Sequence, residues 1–144
     1  MKNFFIKLGF ALIVCLQGVA QNNNLKPLTF LYTNDLHAHI QPQMVGWVSD
    51  TRKVGGFANI ATKVKQEKSA NPNTLYFDAG DFFTGPYVSS LTKGEAVIDI
   101  MNTMGIDAAC IGNHEFDHGW QSMLSMFNKA KFPILNGNIF NQST

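Results

Sequence analysis

The segment Gly112–Asp117 carries the most chemically informative residues of this 144-residue chain. Its sequence, GNHEFD, follows an apolar run that is typical of a buried strand. Asn113 offers a neutral oxygen ligand, His114 can either bind a metal or act on a substrate, and Asp117 can hydrogen-bond His114. Helix capping is the competing interpretation of Asn113. The crowding of four polar side chains at the mouth of one strand favours a metal site.

Two further segments place metal-ligating residues directly after an apolar run. Asp35 and His37 are two residues apart, so an extended backbone would project both side chains to one face, where they could chelate one ion. Residues 78–81, DAGD, end the next such run, and spacing does not decide whether Asp78 or Asp81 is the ligand. For either segment taken alone, a simple turn is the alternative.

The histidines support convergence of these segments, because all four fall in two of them: His37, His39, His114 and His118. Mixed oxygen and nitrogen ligands suit manganese, zinc or iron(II). We expect His39 and His118 to lie at the surface or beside the ligands, and Glu115 to stabilise its loop rather than act as a base. Four aromatic residues could either line a pocket that stacks on a nucleobase or belong to the core, and the sequence does not decide between the two: Trp47, Phe82, Phe83 and Trp120.

Composition narrows the class of protein. The chain is 45% hydrophobic and carries a formal net charge of +1, which fits one soluble globular domain and gives no basic surface for nucleic acid. An anionic substrate must therefore be held locally, by the residues of the site.

Residues 1–20 have the pattern of a signal peptide, with lysines before an apolar run and small residues at the cleavage position. We expect cleavage after Ala20 and a periplasmic or extracellular location. The apolar run is too short for a stable membrane span, and lipidation at Cys15 is the less favoured alternative. Cleavage would remove Cys15 and leave Cys110 as the single cysteine of the mature chain. The apolar neighbours of Cys110 predict that its side chain is buried.

The remaining sequence predicts an α/β protein. After a flexible lead over residues 21–27, strands are predicted at 28–32, 74–77, 108–111 and 132–135. Periodic apolar residues predict helices from Gly55-Gly56 to about Ser69, from Ala96 to about Met104, and from Trp120 to Phe127. Because strands alternate with helices, we expect a layered sheet with its functional loops at the carboxyl ends of the strands.

Taken in order, four motifs resemble the 5′-nucleotidase branch of the calcineurin-like metallophosphoesterases: TNDLHAH at 33–39, GG at 55–56, DAGDFFTG at 78–85 and GNHEFD at 112–117. The resemblance runs from about Leu28 to Phe140. It implies a layered α/β/β/α sandwich, of which residues 28–144 form the N-terminal half.

The resemblance also implies two divalent metal ions. In that arrangement Asp35 and His37 bind the first ion, Asp81 bridges both, and Asn113 binds the second. Asp78 would then be a bystander.

The same resemblance gives His114 a place facing the substrate phosphate, where it would stabilise developing charge, with Asp117 as its dyad partner. The implied reaction is hydrolysis of nucleotide phosphomonoesters or other small phosphoesters by a water that the two metals activate. Cyclic-nucleotide phosphodiesterase and thiosulfohydrolase activities are alternatives within the family.

Family members take further metal ligands, two histidines among them, from a second half of the domain, and this sequence has no histidine after His118. We therefore expect a truncated or split form whose C-terminal half is missing or separately encoded. The alternative from another class is a non-catalytic exported fragment.

Overall fold

The computed structural model describes residues 25–140. Its elements follow the chain as β1 Thr29–Thr33, β2 Gln43–Val45, β3 Ser49–Val54, α1 Phe57–Ala70, β4 Thr74–Asp78, α2 Tyr87–Thr92, α3 Glu95–Met101, β5 Ala108–Cys110, a 3-10 helix His114–Phe116, α4 Trp120–Phe127 and β6 Ile134–Leu135. The predicted signal segment lies outside the described residues. Between residues 25 and 140, none of the helices has the length and apolarity that crossing a bilayer would need.

Four strands form one parallel sheet in the order β1, β4, β5, β6, which confirms the predicted α/β class. Thr33 pairs with Asp78, and Asp78 pairs with Ala109. The carboxyl ends of three neighbouring strands are therefore level, and the loops that follow them leave the sheet at the same edge.

The core lies between this sheet and the helices. Alternate residues of β4, including Tyr76 and Asp78, are buried on the helix side. Helix α1 contributes Phe57 and Val64 to the core, and α3 contributes three buried side chains. Each large apolar side chain removed from water adds roughly 1.5–3 kcal/mol to stability, so this layer fixes the base from which the functional loops project.

The opposite face of the sheet is apolar and exposed within the described chain. Phe30, Tyr32 and Leu135 are 58%, 77% and 55% exposed. Cys110 is also exposed, so the prediction of a buried thiol was wrong. Cys110 pairs with Leu135 and lies on the face without helices, whereas the preceding Ala109 lies in the core.

Element boundaries largely follow the predicted pattern, and α4 begins and ends at the predicted residues. The antiparallel hairpin of β2 and β3 occupies a region predicted as a loop. Its second strand, SDTRKV, is mostly polar and exposed, so it lacks the alternation by which a strand is recognised. Helix α2 was not predicted either, because only one of its six residues is buried.

Candidate active site

Three loops meet at the carboxyl edge of the sheet: the first loop, residues 34–40, the second, 79–86, and the third, 111–119. The amide of Asp35 donates to the carbonyl of Gly80 (3.0 Å), and that of His37 donates to the carbonyl of Asp81 (2.9 Å). A Cβ on Gly112 would lie 2.1 Å from Oδ1 of Asp81. Only glycine therefore allows the third loop to approach the second this closely.

The backbone is left-handed at Asp35, His37 and Asp81, with φ angles of 53°, 43° and 58°. The predicted extended conformation of the first loop was therefore wrong, although Oδ1 of Asp35 still lies 3.7 Å from Nε2 of His37. Non-glycine residues in this conformation cost of order 1–3 kcal/mol each and persist only where surrounding contacts impose it. The hydrogen bonds between the first and second loops are such contacts.

The structure brings together three side chains that could hold a metal ion, which we call the ligand cluster: His37, Asp81 and His114. One ligand atom from each lies within 4.8 Å of the other two. Asp35 adds a second carboxylate beside His37. The exposed Asn113 precedes the 3-10 helix without capping it through its side chain, so the structure does not support the capping alternative.

The two histidines of the ligand cluster are held by different partners. Nδ1 of His37 lies 2.9 Å from the carbonyl oxygen of Thr84, which can only accept a hydrogen bond. The proton therefore resides on Nδ1, and Nε2 is left with a lone pair for a cation. The rings of His37 and His114 meet edge to face, with centroids 4.8 Å apart.

His114 is paired with a carboxylate. Its Nδ1 lies 2.7 Å from Oδ2 of Asp117, which confirms the predicted contact. This hydrogen bond is the main reason that the pKa of His114 is raised, with smaller contributions from the charges of Asp117, Asp81 and Glu115. The same bond, together with one from Thr84, lowers the pKa of Asp117. The geometry thus favours an imidazolium at His114.

The two aspartates that spacing could not separate have different environments. Asp81 belongs to the ligand cluster, and its Oδ1 accepts the amide of His114 (2.9 Å). Asp78 is buried and accepts the hydroxyl of Thr33 (2.6 Å) and the amide of Gly80 (3.0 Å). Burial raises the pKa of Asp78 to about 6, against the opposing effect of these two hydrogen bonds. The structure therefore brings Asp81, and not Asp78, into the ligand cluster.

Two supporting residues complete the site. Glu115 is buried and accepts three backbone amides, so its predicted loop-stabilising role is confirmed. Thr84 was not predicted. It orients His37 through its carbonyl and contacts the carbonyl of His114 through its hydroxyl (3.3 Å). No side-chain pattern could have revealed it, because its main contribution is a backbone atom.

The remaining candidates lie beside the site or in the core. His39 is exposed and contacts Gln43, while Nε2 of His118 is buried and has no hydrogen-bond partner among the described residues. Phe82 and Phe83 are core residues, which decides against the base-stacking alternative for both. The other two aromatic residues are largely or half exposed: Trp47 and Trp120.

Comparison with known proteins identifies the family of this chain. The sequence pattern of the calcineurin-like phosphoesterase family matches residues 28–143. A 5′-nucleotidase of Bos taurus is 40% identical over 116 residues, which cover 78% of this chain and 20% of the relative.

Two solved structures have the same fold in the matched region. The NAD nucleotidase of Haemophilus influenzae superposes with a TM-score of 0.71 at 30% identity, covering 81% of this chain and 21% of that one. A 5′-nucleotidase precursor of Thermus thermophilus gives 0.69 at 33% identity, covering 77% and 22%. The chain thus spans about a fifth of the length of the relatives that it matches.

Proposed function

The chain belongs to the calcineurin-like phosphoesterase family, and from that premise we propose that it supplies the metal-binding part of a phosphomonoester hydrolase that acts on nucleotides. The observation that carries the proposal is the ligand cluster, where His37, Asp81 and His114 converge from three loops. The printed names of the relatives, 5′-nucleotidase among them, support a nucleotide monophosphate as substrate.

The donor set fits divalent cations. Carboxylate oxygen, amide oxygen and neutral imidazole nitrogen together suit manganese, zinc or iron(II). We assign Asp35 and His37 to a first cation, Asp81 to a bridging position and Asn113 to a second cation. Two cations held there would lower the pKa of a shared water and neutralise phosphoryl oxygens.

His114 has a different role in this proposal. Because Asp117 holds Nδ1, the free edge of the imidazole, at Nε2, can be presented to the phosphate oxygens. A raised pKa keeps the ring cationic, so it can stabilise negative charge that develops on the phosphoryl group. Asp117 fixes the orientation of the ring and stabilises its protonated form.

Four donors are too few for two cations, each of which takes four or more ligands. We therefore propose that further ligands come from a second half of the catalytic domain. The exposed apolar face of the sheet, with Phe30, Tyr32 and Leu135, supports such a partner, because parallel sheets are almost always covered on both faces. We infer that this second half corresponds to part of the relatives' sequence that this chain does not cover.

The test is a paired assay with a nucleotide monophosphate and Mn²⁺. We expect this chain alone to bind one Mn²⁺ ion weakly without useful turnover, and the chain joined to a second half to hydrolyse the substrate. Robust turnover by the chain alone would contradict the need for a second half, and absence of Mn²⁺ binding by both forms would contradict the metal site.

We also propose export with cleavage after Ala20, which would give a mature chain starting at Gln21. Intact-mass measurement of secreted protein tests this. A mass that retains Met1, or that includes acyl chains on Cys15, would contradict it.

A further inference from the structure

Glu115 is almost completely buried, at 1% exposure, yet its neighbours supply backbone donors rather than a cationic side chain. Oε2 accepts the amides of Gly112 (2.7 Å) and Asp81 (3.0 Å), and Oε1 accepts the amide of Phe83 (3.0 Å). Both oxygens act as acceptors, so the side chain is used as a carboxylate. One anion thereby joins the second loop to the third.

These bonds form a closed ring with the ligand cluster. Glu115 accepts the amide of Asp81, and the carboxylate of Asp81 in turn accepts the amide of His114 (2.9 Å), the residue before Glu115. The ring leaves little freedom for either residue of the cluster. It also imposes the left-handed backbone of Asp81 (φ 58°), which would otherwise relax.

We propose that Glu115 is a positioning residue for the metal centre, setting the carboxylate of Asp81 against His37 and His114. The proposal rests on the function proposed above. Glu115 would act through the second loop and touch neither cation nor substrate. A glutamine could not replace it, because its amide group would donate toward backbone amides that are themselves donors.

The test compares Glu115→Gln with wild-type chain in two measurements. In cation-free protein, amide hydrogen exchange should become faster at Asp81, Phe83 and Gly112, by at least about tenfold where the amide nitrogen of glutamine replaces an accepting oxygen. An amide that faces the remaining oxygen keeps a neutral acceptor in place of a charged one. The Mn²⁺ affinity should fall by about 10- to 100-fold, the usual effect of removing a residue that supports a metal ligand.

Asp78→Asn is the matched control, because Asp78 is another carboxylate at 1% exposure, bonded to Gly80 and Thr33 rather than to Asp81 or Gly112. Its Mn²⁺ affinity should stay within about threefold of wild type, well below the effect expected at Glu115. A merely structural role for Glu115 would make the two variants lose affinity together in proportion to their lost stability, and that result would overturn the proposal.

Two further outcomes are decisive. If Glu115→Gln does not fold, the same two measurements are made on Glu115→Asp, which keeps the charge on a side chain one methylene shorter. Amide exchange rates and Mn²⁺ affinity that both equal those of wild type would then overturn the proposal. If the wild-type sequence binds no Mn²⁺ either alone or joined to a second half, the proposed function fails. Amide exchange then judges Glu115 alone, and unaltered protection of Asp81, Phe83 and Gly112 in the variant overturns its positioning role.

Discussion

His37 and His114 lie with their rings edge to face, but their loops hold them by different means. In the first loop, a backbone carbonyl from Thr84 binds Nδ1 of His37. In the third loop, the carboxylate of Asp117 binds the same atom of His114. A neutral acceptor fixes a tautomer and leaves a lone pair for a cation, whereas a charged acceptor also stabilises the imidazolium.

The difference indicates a division of labour between two identical side chains. We expect His37 to bind a cation and His114 to face the phosphate, although both belong to the ligand cluster. The second loop contacts both histidines, because a ligand atom of Asp81 lies within 4.8 Å of one from each and Thr84 contacts both loops. A change in the second loop should therefore affect both histidines.

The largest effect is expected from Asp81→Ala, which removes the one carboxylate of the ligand cluster. Without the bridging anion, cations placed there would repel one another unscreened. Mn²⁺ affinity should fall by more than about 100-fold, beyond the range for residues that only support a ligand. Calorimetric titration of the variant beside Asp99→Ala, an exposed carboxylate on α3, measures this. Retention of both ions by Asp81→Ala in the chain joined to a second half would contradict the bridging assignment.

His114→Ala should separate rate from metal binding. In the form of the protein that shows turnover, kcat should fall by roughly 10²–10³, the range for losing one donor to developing charge. Metal content should stay near that of wild type. Steady-state kinetics with elemental analysis of the same sample decides the matter, and loss of the metals would instead make His114 a ligand.

The first and third loops also differ in how well the sequence predicted their structure. Apolar runs followed by Asp35, Asp78 or Gly112 correctly located three strand ends, because a buried strand must end where polar side chains begin. The contact between His114 and Asp117 was predictable, since the two residues are three apart in one short turn. The pairing of Asp35 with His37 was predicted for a wrong reason, because their left-handed backbone depends on hydrogen bonds from the second loop.

Other features depended on contacts that no local pattern records. The carbonyl of Thr84 binds His37 from 47 residues away. The exposure of Cys110 depends on what lies against the second face of the sheet, which its apolar neighbours in sequence do not reveal. Spacing alone could not choose between Asp78 and Asp81, because both residues end the same run. The resemblance to the family favoured Asp81, and the fold places Asp81 in the ligand cluster.

Asp117→Asn should make the third loop resemble the first by replacing a charged acceptor with a neutral one. The raised pKa of His114 means that its stabilising contribution is complete below the unfolded value near 6.5 and is lost as pH rises through the folded value. In the variant the pKa should fall, and kcat should drop by roughly tenfold, less than in His114→Ala. Proton NMR titration of cation-free protein between about pH 5 and 9 measures the shift, and an unchanged pKa would contradict the pairing.

Asp78→Asn should have the smallest effect on the site and a distinct effect on stability. Because burial raises the pKa of Asp78 from 3.8 to about 6, the folded state holds this proton more tightly than the unfolded one. Stability is thus favoured below pH 3.8 and declines as pH rises to about 6, by roughly 3 kcal/mol at about 1.36 kcal/mol per pKa unit. Urea unfolding of both proteins across this range should show a flatter dependence in the variant, and parallel curves would contradict the buried, raised carboxyl.

The division of labour is tested most directly by Mn²⁺ titration of His37→Ala and His114→Ala in the same chain, followed by electron paramagnetic resonance. We expect His37→Ala to weaken Mn²⁺ binding by at least about tenfold and His114→Ala to stay within about threefold of wild type. The second change is smaller than the loss of about 10- to 100-fold that follows removal of a residue supporting a metal ligand. Equal weakening in both variants, or stronger weakening in His114→Ala, would contradict it.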